Sequence, residues 1–396
     1  MPANDAPAAA RRQVLRAALL HLFATAAAPL VRRRRPSAIR RVLFIRPDHI
    51  GDALFATPAL ELWRRGAPAG METTVSAGPW SADVLRHGPL PESVETFPYP
   101  GFTRARPRSL LSPYVALLAE ARRLRRRQFD MAVILRFDHW WGGLLAFAAG
   151  IPVRIGYATD PLARFLNVAL PYEGRRHEVE RNLALAELAL GECGAEAPAG
   201  KPFPALRYDV TPAEREGATA LLAAAGVPAG ERIVALHVGA GAPVKQWPAE
   251  RFAHLGDALA GRGVAVVLTG GPAELSLAWQ VAAGMMAEPA VLAGRTTLPQ
   301  LAAVLSHCDA AVGADSGPLH LAAAVGTPTL HLFGPADPAL FGPWSDAPAH
   351  HRVLMADCPL APCNRLDYTA DELPAHRCME TIQVAEVLQA TLELLD

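Results

Sequence analysis

The sequence is poor in lysine and carries no net charge. Only two of its 38 basic residues, Lys201 and Lys245, are lysines, and 38 acidic residues balance the basic ones. A chain without net charge has no overall field that attracts nucleic acid, so we expect no nucleic-acid partner. An isolated lysine among arginines favours a place that needs a compact charge rather than a planar guanidinium.

Cysteine is scarce as well. Five cysteines in 396 residues are too few, and odd in number, for a disulfide scaffold, which favours a reducing, cytoplasmic location. Cys358, Cys363, His376 and Cys378 are loosely spaced and leave two interpretations, a zinc site or reduced thiols. We favour the thiols and expect no metal.

Long apolar runs are missing. The mostly apolar run AALLHLFATAAAPLV between Arg16 and Arg32 has 15 residues, whereas a bilayer span needs about 20. Residues 1–41 also hold nine arginines against one acid, Asp5. A signal peptide, a helix lying in an anionic membrane surface and a loosely packed extension remain open. We expect residues 1–40 to form an extension that contacts the inner membrane surface.

What is present fits an α/β protein of about two domains, since domains commonly have 100–200 residues. Apolar residues make up 51% of the chain, which excludes disorder throughout. Apolar runs at 41–46, 72–76, 129–135 and 152–156 predict strands, and residues 113–127 predict a helix between them. This alternation predicts a parallel sheet in a first domain over residues 41–200.

A second half repeats the alternation after a Pro- and Ala-rich linker over residues 195–213. Predicted strands lie at 232–238, 264–268, 310–313 and 329–333, and predicted helices at 248–261, 272–285, 298–306 and 318–325. We expect a second α/β domain over residues 210–380 that faces the first across a cleft. We also expect a terminal helix, within 381–396, that packs back on the first domain.

The loop RPDHIGD (46–52) follows the first predicted strand. Open α/β sheets bind ligands at the carboxyl ends of their strands, where this loop lies. Gly51 permits a tight turn or close backbone approach, and Asp52 is expected at the start of the next helix, near Ala53. Two roles for Asp52 remain open, a plain helix cap or a functional carboxylate.

The motif GADSGPLH (313–320) also joins a strand to a helix. Asp315 and Ser316 are capping types, Gly317 leaves room, and Pro318 suits the first helical position. Free N–H groups and the helix dipole favour a diphosphate there, with His320 one turn inside. The alternative is a well-capped helix with a structural histidine.

Two further loops follow predicted strands. In LHVGAGAPVKQW (236–247), Lys245 is suited to neutralise a leaving diphosphate. Because the pattern that begins Gly239-x-Gly241 ends in Val244, the dinucleotide fingerprint fails, which argues against an NAD enzyme. In LTGGPAE (268–274), Glu274 is suited to hold ribose hydroxyls, although this loop is a weak signal alone. The sequence has no Asp-x-Asp pair, Walker A, Gly-x-Ser-x-Gly or His-Glu-x-x-His motif.

Together these motifs resemble glycosyltransferase family 9, the ADP-heptose:lipopolysaccharide heptosyltransferases. RPDHIGDALFATPAL (46–60), KQWP (245–248), GADSGPLHLAAAVGTPTLHLFGP (313–335) and HRCM (376–379) carry the resemblance in order. It implies a metal-independent, inverting transferase without a cofactor, of the GT-B architecture with two Rossmann-like domains. The acceptor, a glycan or lipid-linked glycan, would lie on the first domain and the nucleotide-sugar, ADP-heptose, on the second.

The resemblance also implies roles for single residues. Asp52 would be the catalytic base, Lys245 would contact the donor diphosphate and Glu274 the ribose. Asp315, Ser316, Gly317 and His320 would line the diphosphate and sugar. Arg46 and Gly51 lie in the opening loop on the acceptor side, and Arg136, Asp138 and His139 are acceptor-side candidates by position only. The alternatives are a transferase or epimerase for another nucleotide-sugar, such as UDP-N-acetylhexosamine, and a non-catalytic nucleotide- or glycan-binding protein.

Overall fold

A computed structural model describes residues 35–90, 93–103, 109, 111–198 and 205–396. The chain divides into two compact units, one of residues 1–49 and 58–201 and one of residues 50–57 and 202–396. Most of the extension over residues 1–40 lies outside the described residues, as does Lys201. In the described part of the chain, no helix combines the length and apolar character that a bilayer crossing requires.

The first unit is built on a parallel sheet of six strands in the order β3-β2-β1-β4-β5-β6. These strands are β1 (Arg41–Arg46), β2 (Glu72–Ala77), β3 (Val94–Thr96), β4 (Met131–Ile134), β5 (Val153–Tyr157) and β6 (Val168–Leu170). The helices are α1 (Ile50–Gly66), α2 (Ala82–Arg86), α3 (Ser112–Arg127), α4 (Trp140–Ala149) and α5 (Glu178–Glu192). The central strand β1 is apolar between its terminal arginines, and Val42 to Ile45 are fully buried, as both faces of a parallel sheet are covered.

The second unit repeats this order, with its sheet running β12-β11-β10-β7-β8-β9. Its strands are β7 (Arg232–His237), β8 (Val264–Thr269), β9 (Ala290–Val291), β10 (Ala310–Ala314), β11 (Thr329–Phe333) and β12 (His351–Met355). Its helices are α6 (Pro212–Ala224), α7 (Ala249–Ala260), α8 (Leu275–Gly284), α9 (Leu298–Leu305), α10 (Gly317–Ala324), α11 (Pro338–Phe341) and α12 (Val384–Leu395). The expectation of two α/β units with parallel sheets is confirmed.

Each sheet has a point at which its strand order reverses, between β1 and β4 and between β7 and β10. Loops that leave neighbouring strands in opposite directions open a crevice there, where ligands of such sheets bind. The loops predicted to be functional follow β1, β4, β7, β8 and β10 and therefore lie at or beside these points.

The unit boundary at 201/202 falls inside the predicted linker over 195–213, and a capping box of Thr211 and Glu214 starts α6 at Pro212, before the predicted end of that linker. The terminal helix α12 packs against α7 and the strands β10 to β12, with Val387 and Ala390 in the core of the second unit. That this helix also packs back on the first domain stays a prediction. Residues 50–57 also belong to the second unit, in contrast to the predicted boundaries.

Candidate active site

The turn between β10 and α10 contains a side-chain hydroxyl that has no hydrogen-bond partner among the described residues. Ser316 is the N-cap of α10, with extended backbone, yet its side chain makes no capping hydrogen bond. The Ser316 Oγ is buried and has no hydrogen-bond partner among the described residues. Ser316 is therefore not the side-chain cap that its type suggests. Its hydroxyl and the Gly317 N–H at the first helical position form a site suited to an anion.

Asp315, one residue earlier, is the centre of a buried charged group. Lys245 Nζ donates to Asp315 Oδ2 at 2.8 Å, and His320 Nε2 lies 3.3 Å from Asp315 Oδ1. Burial raises the pKa of Asp315, but the hydrogen bond from His320 and the charge of Lys245 outweigh it, so the pKa lies well below its ordinary range. Asp315 is therefore a carboxylate at neutral pH, and it fixes the lysine and the histidine beside the helix N-terminus.

Gly317 allows a second segment of the same unit to approach this turn. A Cβ atom on Gly317 would lie 3.0 Å from Ile50 Cβ and 3.1 Å from the Gly51 nitrogen. On the other side, a Cβ on Gly51 would lie 3.4 Å from His320 Cδ2. A side chain at Gly317 would push the segments apart, so this position requires the close approach that glycine permits, whereas a Cβ at Gly51 would make an ordinary van der Waals contact.

Asp52 lies in the first turn of α1, next to this contact. The N-cap of α1 is His49, so Asp52 is not the helix cap of one interpretation. Phe55, one turn further, packs on His320 with ring centroids 4.6 Å apart. The start of α1 therefore brings a half-buried carboxylate close to the Asp315 group.

Glu274 lies on the loop that follows β8. Its Oε2 accepts a hydrogen bond from the Gly271 nitrogen at 2.7 Å, which closes a short 3₁₀ turn. A Cβ on Gly239, after β7, would lie 2.8 Å from Glu274 Cγ. Gly239 thus leaves the room that Glu274 occupies, and the loops after β7 and β8 meet at one edge of the sheet.

Sequence reasoning missed three buried or partly buried histidines of this unit, His237, His331 and His351. The His331 ring lies 5.1 Å from the His320 ring, and Thr329 Oγ1 is 2.9 Å from His331 Nε2 and 2.8 Å from His351 Nδ1. Burial lowers the pKa of His331, and it lowers those of His237 and His351 to about 4. The signal was polar residues at alternate positions of the otherwise apolar strand TLHLF.

The structure corrects the predicted position of Arg46 in the first unit. The expectation placed it on the acceptor side of the opening loop, but it is fully buried at the end of β1. Its Nε lies 3.0 Å from Asp48 Oδ2, and its Nη1 lies 3.1 Å from Glu178 Oε1 and 3.3 Å from Asn182 Oδ1. A buried guanidinium needs such acceptors, and Arg46 therefore serves as internal support.

Arg136 follows β4 and remains partly exposed, with 29% of its side chain accessible. It donates to Asp48 and to Asp138, and its guanidinium lies over the Phe102 ring, 5.2 Å from the centroid. Burial raises the pKa of Asp48, but Arg46 and Arg136 outweigh it, so the pKa of Asp48 is lowered. Arg136 is thus a rigidly held cation at the point where the strand order reverses.

His139, beside Arg136, is buried and uncharged at neutral pH. Burial lowers its pKa to about 4, and neither ring nitrogen has a hydrogen-bond partner among the described residues. Tyr99 and Phe102 meet the ring edge to face, at centroid distances of 5.3 and 5.6 Å. The structure thus brings together the three candidates that were chosen by position, Arg136, Asp138 and His139. Only the two charged residues reach solvent.

The four residues with loose zinc-like spacing, Cys358, Cys363, His376 and Cys378, do not assemble. Over the described ranges, no three side chains of His, Cys, Asp or Glu form a group that could hold a metal ion. The five cysteines are free thiols.

Two Rossmann-like units, one with an open anion site beside buried charges, are typical of proteins that bind a nucleotide diphosphate.

Comparisons with known proteins narrow this class. The family model of glycosyltransferase family 9 (heptosyltransferase) matches residues 117–365, more than half of the chain. Lipopolysaccharide heptosyltransferase 3 of Escherichia coli is 40% identical over 120 residues, which are 30% of this chain and only 35% of that protein. Lipopolysaccharide heptosyltransferase 2 of Salmonella typhimurium is 28% identical over 318 residues, 77% of this chain and 86% of that protein.

Solved structures show the same fold. The structure of E. coli ADP-heptose lps heptosyltransferase II matches with a TM-score of 0.70 at 23% identity, over 90% of this chain and 98% of that one. The structure of E. coli heptosyltransferase WaaC with ADP matches with a TM-score of 0.61. The chain belongs to glycosyltransferase family 9, as its motifs indicated, and the GT-B fold class is confirmed.

Proposed function

We propose that the protein transfers heptose from ADP-heptose to a lipopolysaccharide core acceptor, with inversion at the anomeric carbon and without a metal. The relatives named above are lipopolysaccharide heptosyltransferases, and one solved relative is described with ADP. The observation that carries the proposal is the group of Lys245, Asp315 and His320 beside the open N-terminus of α10. The second candidate, a UDP-sugar enzyme, has no observation that favours it.

The donor diphosphate would bind at that N-terminus. The Ser316 hydroxyl and the Gly317 N–H would donate to its oxygens, and Lys245 would supply the positive charge that a metal provides elsewhere. Glu274, on the neighbouring loop, would accept hydrogen bonds from the ribose hydroxyls. Asp315 would act through the lysine and histidine that it holds, because its own oxygens already face them.

Asp52 would act as the general base. The acceptor hydroxyl oxygen attacks the anomeric carbon from the face opposite the diphosphate, the bond from that carbon to the phosphate oxygen breaks, and ADP leaves. The hydroxyl proton passes to the Asp52 carboxylate as the new glycosidic bond forms. Lys245 and the α10 N-terminus stabilise the charge that grows on the leaving group.

The acceptor would use Arg136. A partly exposed guanidinium that two carboxylates hold in place is suited to an anionic group of a glycan. An acceptor linked to lipid lies at a membrane surface, so we propose that the reaction takes place at the inner face of the cytoplasmic membrane.

The first test is thermal stabilisation by ADP, UDP, GDP and NAD. A ligand at 100 times its Kd adds about 2.7 kcal/mol, which raises the melting temperature by several degrees. We expect ADP alone to do so, also in the presence of EDTA. A preference for UDP or GDP would keep the family and contradict heptose, and a response to NAD or to no nucleotide would contradict the donor site.

The second test follows the product. ADP-heptose and a heptose-free lipopolysaccharide precursor should give a product heavier by one heptose, with the anomeric configuration inverted by NMR. ADP release without transfer would contradict the proposed acceptor, and an EDTA-sensitive rate would contradict the metal-free mechanism.

A further inference from the structure

Helix α3 of the first unit has an unusually apolar exposed side. Leu111, Tyr114, Val115 and Leu118 expose 71%, 41%, 65% and 47% of their surface. They follow the i, i+3, i+4, i+7 spacing that places residues on one side of a helix. They also make up four of the ten large apolar residues exposed in the described ranges. The exposed side is therefore a continuous apolar stripe rather than scattered residues.

The fold does not need this stripe. The opposite side of α3 already packs into the first unit, where Leu117, Ala121 and Leu124 lie in its core. A surface helix normally carries polar residues on its solvent side, because apolar surface costs free energy in water. An exposed apolar stripe on a helix that is already packed marks an interaction surface.

The same side becomes basic in the second half of the helix. Arg122 and Arg126 continue the stripe at intervals of four residues, and both are exposed. Neither forms an ion pair with any described residue, whereas Arg123 pairs with Glu120 and Glu95 and Arg127 pairs with Glu95. The stripe thus ends in two uncompensated positive charges.

We propose that this surface, Leu111, Tyr114, Val115, Leu118, Arg122 and Arg126, docks on an anionic phospholipid bilayer. An apolar helix face with flanking arginines is the pattern of helices that lie in a membrane interface, where acyl chains cover the apolar residues and phosphates meet the cations. The inference does not depend on the transfer reaction, and it concerns a surface other than residues 1–40.

The test is co-sedimentation of the full chain with vesicles. We expect binding to phosphatidylcholine vesicles that contain phosphatidylglycerol, weaker binding to phosphatidylcholine alone, and loss of binding at high salt. Because each arginine near an anionic surface contributes about a factor of five in affinity, Arg122→Gln with Arg126→Gln should weaken binding about 25-fold. Val115→Gln with Leu118→Gln should weaken binding to both kinds of vesicle.

Matched controls use equally exposed residues of the second unit. Met286→Gln with Leu360→Gln, and Arg232→Gln with Arg262→Gln, should bind vesicles as the unchanged protein does. All variants should keep their melting temperature and their ADP affinity, because the substituted side chains are exposed and lie outside the donor site.

Hydrogen exchange locates the contact. Amides of residues 111–127 should gain protection when anionic vesicles are added. If the α3 variants bind as the unchanged protein does and these amides gain no protection, binding belongs to another segment and the proposal is wrong. It is equally wrong if the unchanged protein is a dimer that the α3 variants dissolve, since a second copy then covers the stripe.

Discussion

The two units place polar residues at the same point of the same strand order and use them differently. Where β1 meets β4, the Asp48 carboxylate lies between the guanidinium groups of Arg46 and Arg136, and each of these charges has a partner. Where β7 meets β10, Asp315 is paired, but the neighbouring Ser316 hydroxyl has no partner. A buried polar group without a partner costs free energy unless a ligand or water satisfies it.

The comparison teaches that the fold determines where a site lies, whereas the pairing of its residues determines what the site does. A network of paired charges holds its loops and presents one arginine to solvent, although the neighbouring His139 ring lacks a hydrogen-bond partner among the described residues. A partly unsatisfied one keeps donors available for a ligand. The following predictions test this division between a supporting network and a binding one.

The largest effect is expected for Asp52→Asn. The amide cannot take up the proton of the acceptor, so transfer should fall by about 10²–10⁴-fold while ADP affinity is unchanged. Product formation and calorimetric ADP titration measure the two quantities. Asp83→Asn, in the first turn of α2, is the control and should transfer normally. Near-normal transfer by Asp52→Asn would remove it from the role of base.

Removal of the Asp48 side chain should destabilise the folded protein rather than abolish the function of the molecules that remain folded. Asp48→Ala leaves the buried Arg46 without one of its partners, and breaking a buried pair in this way costs about 3–5 kcal/mol. Denaturant unfolding measures the loss, and the folded fraction should bind ADP normally. Asp160→Ala breaks an exposed pair with Arg164 and should cost about 0–1 kcal/mol. Equal costs for the two variants would contradict the supporting role.

As the pH falls, the second unit should lose stability before the first unit does. Burial lowers the pKa of His237, His331 and His351 in the second unit and of His139 in the first. Each ring is neutral when folded but takes up a proton near pH 6.5 when unfolded. The contribution of these histidines to the free energy of unfolding is therefore fully present above about pH 6.5 and declines as the pH falls towards 4.

Hydrogen exchange at pH 7, 6, 5 and 4 measures this order. We expect β7, β10 and β11 to lose protection at a higher pH than β1 and β4. Simultaneous loss in both sheets would contradict a separate contribution of the histidines.

Lys245→Ala should weaken ADP binding by about 10- to 100-fold, because a hydrogen bond to a charged group is worth about 1.5–3 kcal/mol. Calorimetric titration at two salt concentrations measures it. Arg232→Ala, exposed in the same unit, is the control. Unchanged ADP affinity in Lys245→Ala would exclude the diphosphate contact.

The smallest effects are expected for the substitution of two serines, Ser81 and Ser316, which should change different quantities. Ser81 donates to the Asp48 carbonyl at 2.7 Å, so Ser81→Ala should lower stability by about 1–3 kcal/mol and leave ADP affinity unchanged. Ser316 has no partner to lose, so Ser316→Ala should keep stability and lower ADP affinity by about 3- to 10-fold, from one neutral hydrogen bond. The opposite pattern would reverse the roles assigned to the two networks.

The central strands were predictable from sequence because they are apolar on both faces. β1, β7 and β8 appear as short runs of Val, Leu and Ile between loops. The outer strands β3, β6 and β9 have only two or three residues, too few for a period, and the pattern left them out. The helix starts were close but not exact, since α1 begins at Ile50 rather than near Ala53.

The site was predictable where it depends on a local turn. Gly317 and Ser316 lie in one motif, whose strand-to-helix geometry follows from its residues. Arg46 was placed wrongly because its partner Glu178 is 132 residues away, and no local pattern shows that pairing. The Asp315–Lys245 pair, 70 residues apart, escaped for the same reason.

The hydroxyl of Thr329 lies between two histidine rings and carries a single hydrogen. This hydrogen can go to one ring nitrogen only, so His331 Nε2 and His351 Nδ1 cannot both be bare. When one of the two nitrogens is bare and accepts this hydrogen, the other must carry its own hydrogen towards Thr329. A bare Nδ1 on the partly exposed His351 therefore places the hydrogen of the deeply buried His331 on Nε2.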